Sequence, residues 1–325
     1  MDWPVLVFGR AAWALLIERF AGYPQPLFDR ISHPVVWIGK LIDWLDKQLN
    51  AQGVSPQEGR LRGALAVAVL MAAAFLPSYY LSRMLTHWPL GWLAEALLAT
   101  TLIAQKSLKD HVVAVYDGLG RSLAEGRQKV SMIVGRDPAE LDEAGVCRAT
   151  LESLAENASD GIVAPVLWYA LLGLPGIAMY KALNTADSMI GHKSEKYQWF
   201  GWASARLDDL VNLPASRLTG YLFAAAEPSR FKDIVAVMRR DAPKHQSPNA
   251  GWPEAAMAAA LGVRFGGPRS YNGEMIDLPY MGEGRDAITR DDITRGLHVL
   301  SRAMWLLLFA MLFVALLVAA RGINP

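Results

Sequence analysis

Two long uncharged stretches, each bracketed by arginines, constrain the fold of this chain more than any other feature. The stretch 63–82 lies between Arg62 and Arg83, and a second uncharged stretch, 303–320, is bracketed in the same way. A helix of about 20 apolar residues spans the hydrocarbon core of a bilayer, and flanking arginines can extend to its two interfaces. We therefore predict transmembrane helices at 63–82 and 303–320.

The amino-acid composition favours one multi-span membrane domain over two soluble domains. Hydrophobic residues make up 53% of the 325 residues and charged residues only 19%, an unusual balance for a soluble protein. The formal net charge is +1 and no basic tract occurs, so nucleic acid is not an expected partner. The single cysteine, Cys147, excludes an intrachain disulfide and a CxxC metal site.

The predicted fold class is an all-α, polytopic integral membrane helical bundle that forms one domain over 1–325. Its weaker elements are spans near 4–20, 90–104 and 210–226, and polar soluble segments at 106–149 and 227–298. An interfacial helix is the alternative for 90–104, because that stretch contains Glu95. The Lys/Arg excess of the first soluble segment places it on the cytoplasmic side.

The uncharged segment 161–180 has a turn signal at its centre, Gly173-Leu174-Pro175-Gly176, since Gly/Pro clusters mark turns. A single crossing would put Asp160 and Lys181 on opposite faces of the bilayer, roughly 30 Å apart. If the chain reverses at this tetrapeptide, Asp160 and Asp187 stand at nearly equal depth, roughly 16 to 20 Å from the turn. We predict the second arrangement, a re-entrant or buried helical hairpin surrounded by protein.

Carboxylates precede this hairpin at helical spacing. Glu152, Glu156 and Asp160 lie at i, i+4 and i+8, so a helix would align them in one acidic stripe. A solvated helix face is the ordinary explanation, but small residues flank the stripe and an apolar segment follows. Mg²⁺ prefers carboxylate and water oxygens and would offset the repulsion between the acids. We therefore expect these three residues and Asp187 to be metal ligands or catalytic groups.

Polar residues also follow the hairpin. One helix face carries Lys181 at position i, Asn184 at i+3, and Asp187 and Ser188 at i+6 and i+7. The next loop carries Lys193 and a second lysine, both suited to binding phosphate. Each of these residues alone would more often be structural, but their density favours a binding site.

A second charged stretch begins at Arg206, a candidate for bidentate recognition of phosphate or carboxylate. Asp208 and Asp209 either hold a metal or pair with this arginine. Arg217 lies inside the apolar stretch 210–226, where an unpaired charge is costly.

A Pro-rich loop before an Ala-rich helix is a further candidate anion site. A proline fits the first helical turn, so Ser247 and Asn249 lie near the positive end of that helix. Lys244 adds charge, and His245 is a candidate proton carrier. A simple loop is the alternative interpretation. His33, before another helix, is a separate candidate, although a histidine in that position more often caps the helix.

Six stretches in this order resemble one known family: 33–42, 131–137, 152–161, 180–189, 200–209 and 247–254. Together they cover nearly the whole chain, and the combination is much more specific than any single motif. On these stretches the chain resembles the adenosylcobinamide-phosphate synthase family of cobalamin biosynthesis (CobD/CbiB).

The resemblance implies a multi-pass ligase of the cell inner (cytoplasmic) membrane, embedded in the lipid bilayer. Its substrates would be the corrinoid adenosylcobyric acid and (R)-1-amino-2-propanol or its O-phosphate. ATP and Mg²⁺ would drive amide formation, with an acyl phosphate as the expected intermediate. Other membrane-associated enzymes of nucleotide-loop assembly would be its protein partners.

The expected roles follow the chemistry of each residue type. The four carboxylates Glu152, Glu156, Asp160 and Asp187 would hold Mg²⁺ or accept the amine proton. The remaining site residues would bind substrate or phosphate: His33, Asn157, Lys181, Asn184, Ser188, Lys193, Arg206, Asp208, Asp209, Lys244, His245, Ser247 and Asn249.

Two alternatives come from other functional classes. A membrane transporter also uses discontinuous helices and polar residues at membrane depth to bind ions. The sequence shows no inverted repeat, and its large soluble segments fit a ligase better. A membrane sensor resembling the AmpE protein is the other alternative, but that branch loses much of the polar core that this chain keeps.

Overall fold

The computed structural model describes residues 3–22, 30, 32–51, 53–135, 137–267, 269–271, 274–276 and 278–322. Most of them are helical. The α-helices are α1 (Trp3–Ala21), α2 (Pro34–Leu49), α3 (Pro56–Leu85), α4 (Gly91–Thr100), α5 (Gln105–Arg121), α6 (Leu123–Val130), α7 (Glu143–Ala158), α8 (Ala164–Ile190), α9 (Trp202–Ala225), α10 (Phe231–Asp241), α11 (Gly251–Leu261) and α12 (Arg290–Gly322). A π-helical turn, Ser159–Val163, joins α7 to α8, and 3₁₀ turns occur at Pro228–Arg230 and Ala242–Lys244.

Within the described residues, four short strands lie between α11 and α12, where the sequence predicted only a polar soluble segment. β1 (Phe265–Gly266) pairs antiparallel with β4 (Tyr280–Met281), and β2 (Arg269–Tyr271) pairs antiparallel with β3 (Glu274–Ile276). Strands of two or three residues are too short to show alternation in a sequence.

Three helical stretches of the described chain are long and apolar enough to cross a membrane: Pro56–Leu85, Glu143–Ile190 and Arg290–Arg321. They contain the predicted spans at 63–82 and 303–320 and the predicted hairpin segment 161–180. The prediction of an all-α membrane protein is therefore confirmed.

The other predicted spans are helical as well. The stretches near 4–20 and 210–226 fall in α1 and α9, and their placement in the bilayer stays a prediction. The stretch near 90–104 contains α4, which has ten residues. That length is about 15 Å, half of the hydrocarbon thickness, and both the span and the interfacial alternative stay predictions.

The start of α3 follows directly from its sequence. The Ser55 hydroxyl accepts a hydrogen bond of 3.2 Å from the backbone N–H of Glu58. Pro56 occupies the first helical position, where a missing N–H costs nothing. The helix therefore begins in polar sequence, ahead of the apolar stretch.

The chain divides into two compact units made of interleaved segments. Unit 1 comprises Met1–Ala104, Ala164–Asn212 and Ala310–Pro325, and unit 2 comprises Gln105–Val163 and Leu213–Phe309. A core of unit 1 joins α2, α3, α8 and the loop before α9: Ile42, Leu45, Ala66, Leu70, Ala182, Ala186, Ile190 and Phe200. A core of unit 2 joins α5, α6 and α7: Val115, Val130, Val146 and Ala149.

Helix α8 is sharply bent at Gly173, whose φ of 68° and ψ of −158° are not helical. Three residues later, a Cβ atom on Gly176 would collide with the carbonyl oxygen of Trp168. In a continuous helix, residues eight apart are separated by about 12 Å. The chain therefore turns back at Gly173, where only glycine adopts a positive φ without strain.

Side-chain contacts of the two arms, 164–172 and 174–190, agree with this reversal. The indole N–H of Trp168 donates to the carbonyl oxygen of Val211 at 3.2 Å. The hydroxyl of Tyr180, on the other arm, donates to the side chain of the next residue, Asn212, at 2.9 Å. The fold-back predicted from the Gly/Pro cluster is thus present in unit 1.

Candidate active site

Three carboxylates of unit 1 lie within electrostatic range of one another, and we call Asp187, Asp208 and Asp209 the carboxylate cluster. Asp187 comes from the second arm of α8, and the two others come from the first turns of α9. The charges of Asp187 and Asp209 both act on Asp208. The sequence predicted all three as site residues but did not predict that they would meet.

Asp208 is buried, and side-chain amides hold both of its oxygens. Asn212 donates from Nδ2 to Asp208 Oδ2 at 2.9 Å, and Asn184 donates to Oδ1 at 3.5 Å. Tyr180 in turn donates to Oδ1 of Asn212 at 2.9 Å, which fixes the orientation of that amide. Tyr180 and Asn212 were not among the site residues predicted from the sequence, although the i, i+4 spacing of Asp208 and Asn212 was a visible signal.

Burial raises the pKa of Asp208 to about 7, and the negative charge of Asp187 adds to the effect. The hydrogen bonds from Asn212 and Asn184 act in the opposite direction but are outweighed. A carboxyl group with such a pKa takes up or releases a proton near neutral pH. Asp208 is therefore well suited to act as a general base.

Asp187 lies in the last turn of α8, and Gly191 leaves room for its carboxylate beside the helix end. A Cβ atom on Gly191 would collide with Oδ1 of Asp187. The backbone N–H of Gly191 donates to the Asp187 carbonyl oxygen at 2.7 Å. His192, the next residue, lies within electrostatic range of Asp187. This helix end therefore places a carboxylate beside an imidazole.

Two predicted phosphate ligands of unit 1, Arg206 and Lys193, lie at its surface. Arg206 is 64% exposed, and its Nη1 is 3.5 Å from Asp209 Oδ2. Such a long, solvated ion pair is weak, so the guanidinium can exchange its partner for a ligand. Lys193 and Ser188 are also exposed, and the Ser188 hydroxyl donates to the Asn184 carbonyl oxygen at 2.9 Å.

His33 caps helix α2, the role that the sequence analysis weighed as the alternative. Its Nδ1 accepts the backbone N–H of Val35 at 3.2 Å. Burial lowers the pKa of His33, and the positive charge of Lys181 lowers it further. The neutral form of the imidazole is therefore favoured, and Lys181 lies within electrostatic range of it. A role in substrate binding stays a prediction.

The acidic residues of unit 2 occupy different environments. Glu152 is buried and accepts the backbone N–H of Gly266, in β1, at 2.8 Å. Glu156 and Asn157 are exposed on α7, and Asn157 Nδ2 donates to the Ser153 carbonyl oxygen at 2.9 Å. Asp160 lies in the π-helical turn, which has more residues per turn than an α-helix. The predicted straight acidic stripe is therefore interrupted before Asp160.

The four carboxylates predicted to bind Mg²⁺ are divided between the units, with Asp187 in unit 1 and the others in unit 2. Throughout the described ranges, no group of three or more His, Cys, Asp or Glu side chains has a geometry that could hold a metal ion. The four-carboxylate Mg²⁺ site stays a prediction.

Lys244, predicted to bind phosphate, takes part in an ion pair. Its Nζ is 2.6 Å from Oδ1 of the buried Asp241. Arg240 and the backbone N–H of Gly282, at 2.6 and 3.0 Å, hold the other oxygen of Asp241. Burial alone would raise the pKa of Asp241, but these partners lower it to about 2. Asp241 is thus a structural centre that the sequence analysis did not single out.

The loop before α11 satisfies much of its own hydrogen bonding. Ser247 Oγ accepts the backbone N–H groups of Asn249 and Ala250 at 3.2 Å each. His245 Nδ1 accepts the N–H of Ser247 at 2.9 Å. The backbone N–H groups of Ser247 and Asn249, two residues expected to bind an anion, therefore already have hydrogen-bond partners. Asn249 directs its side-chain oxygen to Arg217, at 3.1 Å, a residue absent from the predicted site.

Comparisons with known proteins give a consistent result. The family described as CobD/Cbib protein matches residues 11–300. The chain is 52% identical over 300 residues to the "Cobalamin biosynthesis protein CobD" of Sinorhizobium fredii, covering 89% of the chain and 91% of the relative. It is 50% identical over 311 residues to the protein of that name in Rhizobium meliloti, covering 93% and 95%.

A third relative with the same description, from Rhodobacter capsulatus, is 51% identical over 293 residues, covering 90% of the chain and 92% of the relative. No solved structure matches the chain.

Proposed function

The chain belongs to the CobD/CbiB family, and from this premise we propose that it acts in cobalamin biosynthesis as an ATP-dependent ligase. The bond formed would be the amide between the free propionate of adenosylcobyric acid and the amine of (R)-1-amino-2-propanol or its O-phosphate. The observation that supports this reaction best is Asp208, a buried carboxyl with a pKa of about 7 beside Asp187.

A carboxylate does not condense with an amine unaided, because its oxygen is a poor leaving group. In the proposed reaction, ATP transfers its γ-phosphoryl group to a propionate oxygen and ADP leaves. The amine nitrogen then attacks the acyl carbon, the carbon–oxygen bond to phosphate breaks, and the nitrogen releases a proton. The enzyme must therefore bind anionic groups and supply a base.

We assign the base to Asp208. Its raised pKa makes the carboxylate a competent proton acceptor near pH 7, and the amides of Asn184 and Asn212 keep its oxygens in place. The exposed Arg206 and Lys193, with Lys181, would bind phosphoryl oxygens. Lys244, in unit 2, would bind phosphoryl oxygens only after breaking its ion pair with Asp241.

The donor chemistry of the carboxylate cluster fits Mg²⁺. Asp187 and Asp209 supply hard oxygen ligands, and a divalent cation would relieve the repulsion between them while Asp208 remains the base. When bound, Mg²⁺ would neutralise charge on the transferring phosphoryl group. Glu156 and Asp160 keep their proposed metal role, whereas Glu152 already has a backbone partner.

The proposed reaction also implies a location and partners. A corrinoid ligase with these apolar helices would be a multi-pass protein of the inner membrane, facing the cytoplasm where ATP is present. Other membrane-associated enzymes that assemble the nucleotide loop would be its neighbours.

The test uses the purified chain in detergent with adenosylcobyric acid, aminopropanol O-phosphate, ATP and Mg²⁺. Continued ADP release should require both corrinoid and amine, with one amide product for each ADP. Asp208→Asn should reduce the rate of amide formation about 10²- to 10⁴-fold, while Asp43→Asn, an exposed aspartate of α2 in the same unit, should not. The proposal would be refuted if ADP release by the wild type did not depend on the corrinoid, or if the wild type made no amide.

A further inference from the structure

Arg217 in α9 carries a positive charge that no carboxylate of the described chain neutralises. Its Nη1 donates to the Leu213 carbonyl oxygen at 3.2 Å, to Ser216 Oγ at 3.1 Å and to Asn249 Oδ1 at 3.1 Å. The guanidinium carbon lies 4.7 Å from the ring centroid of Trp252. All four partners are neutral, and all belong to unit 2.

Two other arginines of unit 2 are paired with acids. Arg264, which also lies over an aromatic ring, is 3.3 Å from Asp286. Arg285 is 2.5 Å from Asp292. A partly buried guanidinium held only by neutral groups keeps its full charge and has lost part of its hydration, so it gains more than its paired neighbours from binding an anion.

The contacts of Arg217 also fix its orientation. Nη1 is anchored to three acceptors, and the guanidinium lies over the ring of Trp252. No described residue accepts a hydrogen bond from Nε or Nη2, and neither atom is buried without a partner. These two atoms form one edge of the guanidinium fork, and that edge matches two oxygens of a carboxylate or phosphate.

We infer that Arg217 binds an oxyanion of the substrate, a phosphoryl or carboxylate group, through Nε and Nη2. This inference rests on the proposed function, which supplies such groups on ATP, on aminopropanol phosphate and on the corrinoid propionate. Asn249 acts as a positioning residue, because its side-chain oxygen holds Nη1 and turns the opposite edge of the fork outward.

Binding is tested without turnover by isothermal titration of the full chain in detergent. The probes are pyrophosphate, ATP, aminopropanol O-phosphate and adenosylcobyric acid, each added alone. Arg217→Gln should weaken binding of the probe whose oxyanion it holds by about 10- to 100-fold and leave the unrelated probes unchanged. The affected probe identifies the source of the oxyanion. The matched control Arg264→Gln should leave all four affinities unchanged.

A second variant keeps the test valid if Arg217→Gln does not fold. Asn249→Asp preserves side-chain size and places a carboxylate on Nη1, so it should fold and should weaken the same probe through neutralisation of Arg217. A purely structural arginine would leave anion binding unchanged in this variant.

Wild-type affinities for every probe in both variants would overturn the inference, and so would wild-type protein that binds none of the probes. Failure of the proposed ligase reaction would look different. In that case the wild-type protein would form no amide, although Arg217→Gln and Asn249→Asp would still weaken anion binding.

Discussion

Nη1 of Arg10 lies 2.8 Å from the carboxylate of Glu95, and both side chains are almost completely buried within unit 1. The hydroxyl of Ser82 donates to the same carboxylate at 2.9 Å, and that of Tyr169 lies 3.5 Å from it. One charged centre therefore joins α1, α3, α4 and the first arm of α8.

Removing one member of this pair should be much worse than removing both. Arg10→Met leaves a buried carboxylate without its cation and should lower the free energy of unfolding by about 3–5 kcal/mol. The double variant Arg10→Met/Glu95→Leu removes both charges and should recover most of that loss. Denaturant unfolding in detergent provides the measurement.

The matched control for this pair is the exposed ion pair of Arg62 with Glu58, at 2.6 Å. Arg62→Met should cost less than about 1 kcal/mol, because solvated pairs contribute little. Equal losses in Arg10→Met and Arg62→Met would show that the buried pair is not the structural centre described above.

The turn of α8 gives a second prediction. Gly176→Val brings a branched side chain against the backbone of Trp168 and should cost at least about 1–3 kcal/mol. Gly173→Ala forces a positive φ on a residue with a Cβ atom and should cost about 1–2 kcal/mol. Gly9→Ala is the control, since no atom lies within 4 Å of its added Cβ. If thermal unfolding showed as large a loss of stability for Gly9→Ala as for the other two variants, the chain reversal would be contradicted.

This turn was predictable from the sequence because its cause is local. The tetrapeptide at 173–176 combines two glycines with a proline inside an apolar segment, and each residue type has a strong backbone preference. The spans at 63–82 and 303–320 were predictable for a similar reason, since length and the absence of charge act along a single helix.

Pairing between distant segments was not predictable. The sequence shows Arg10 and Glu95 only as interruptions of two apolar stretches, and no local spacing says that residues 85 positions apart form a pair. The support of Asp208 by Tyr180 and Asn212 combines one visible i, i+4 pair with a contact 32 positions away. Periodicity reports which face a residue occupies, but it does not report which face lies opposite.

Glu152 gives a prediction that separates a structural role from a metal-binding one. Its carboxylate accepts the N–H of Gly266 at 2.8 Å, and a Gln side chain can accept the same bond. Glu152→Gln should therefore cost less than about 1 kcal/mol, whereas Glu152→Ala leaves a buried donor unpaired and should cost about 1–3 kcal/mol. Unfolding of both variants in detergent is the measurement.

The same variants test the metal role by activity. If Glu152 only anchors β1, Glu152→Gln keeps the Mg²⁺ dependence of wild-type turnover. A large rise in the Mg²⁺ concentration needed for half-maximal activity, with stability unchanged, would assign Glu152 to the metal instead.

The raised pKa of Asp208 gives a prediction of how stability depends on pH. Burial and the charge of Asp187 raise this pKa to about 7 in the folded chain, while an aspartate of the unfolded chain titrates near 4. Between these values the folded state binds a proton that the unfolded state has lost. The contribution of Asp208 to stability is therefore largest below about pH 4 and falls as the pH rises towards about 7.

The difference between wild type and Asp208→Asn isolates this group. Between pH 4 and pH 7, without Mg²⁺, the free energy of unfolding of the wild type should fall relative to that of Asp208→Asn by on the order of 4 kcal/mol. As a general base, Asp208 should also give kcat/KM an acidic limb that rises with pH until about pH 7, and Asp208→Asn should reduce kcat/KM about 10²- to 10⁴-fold. Parallel stability curves would show that the carboxyl titrates normally, and an unchanged acidic limb in the variant would assign the base to another residue.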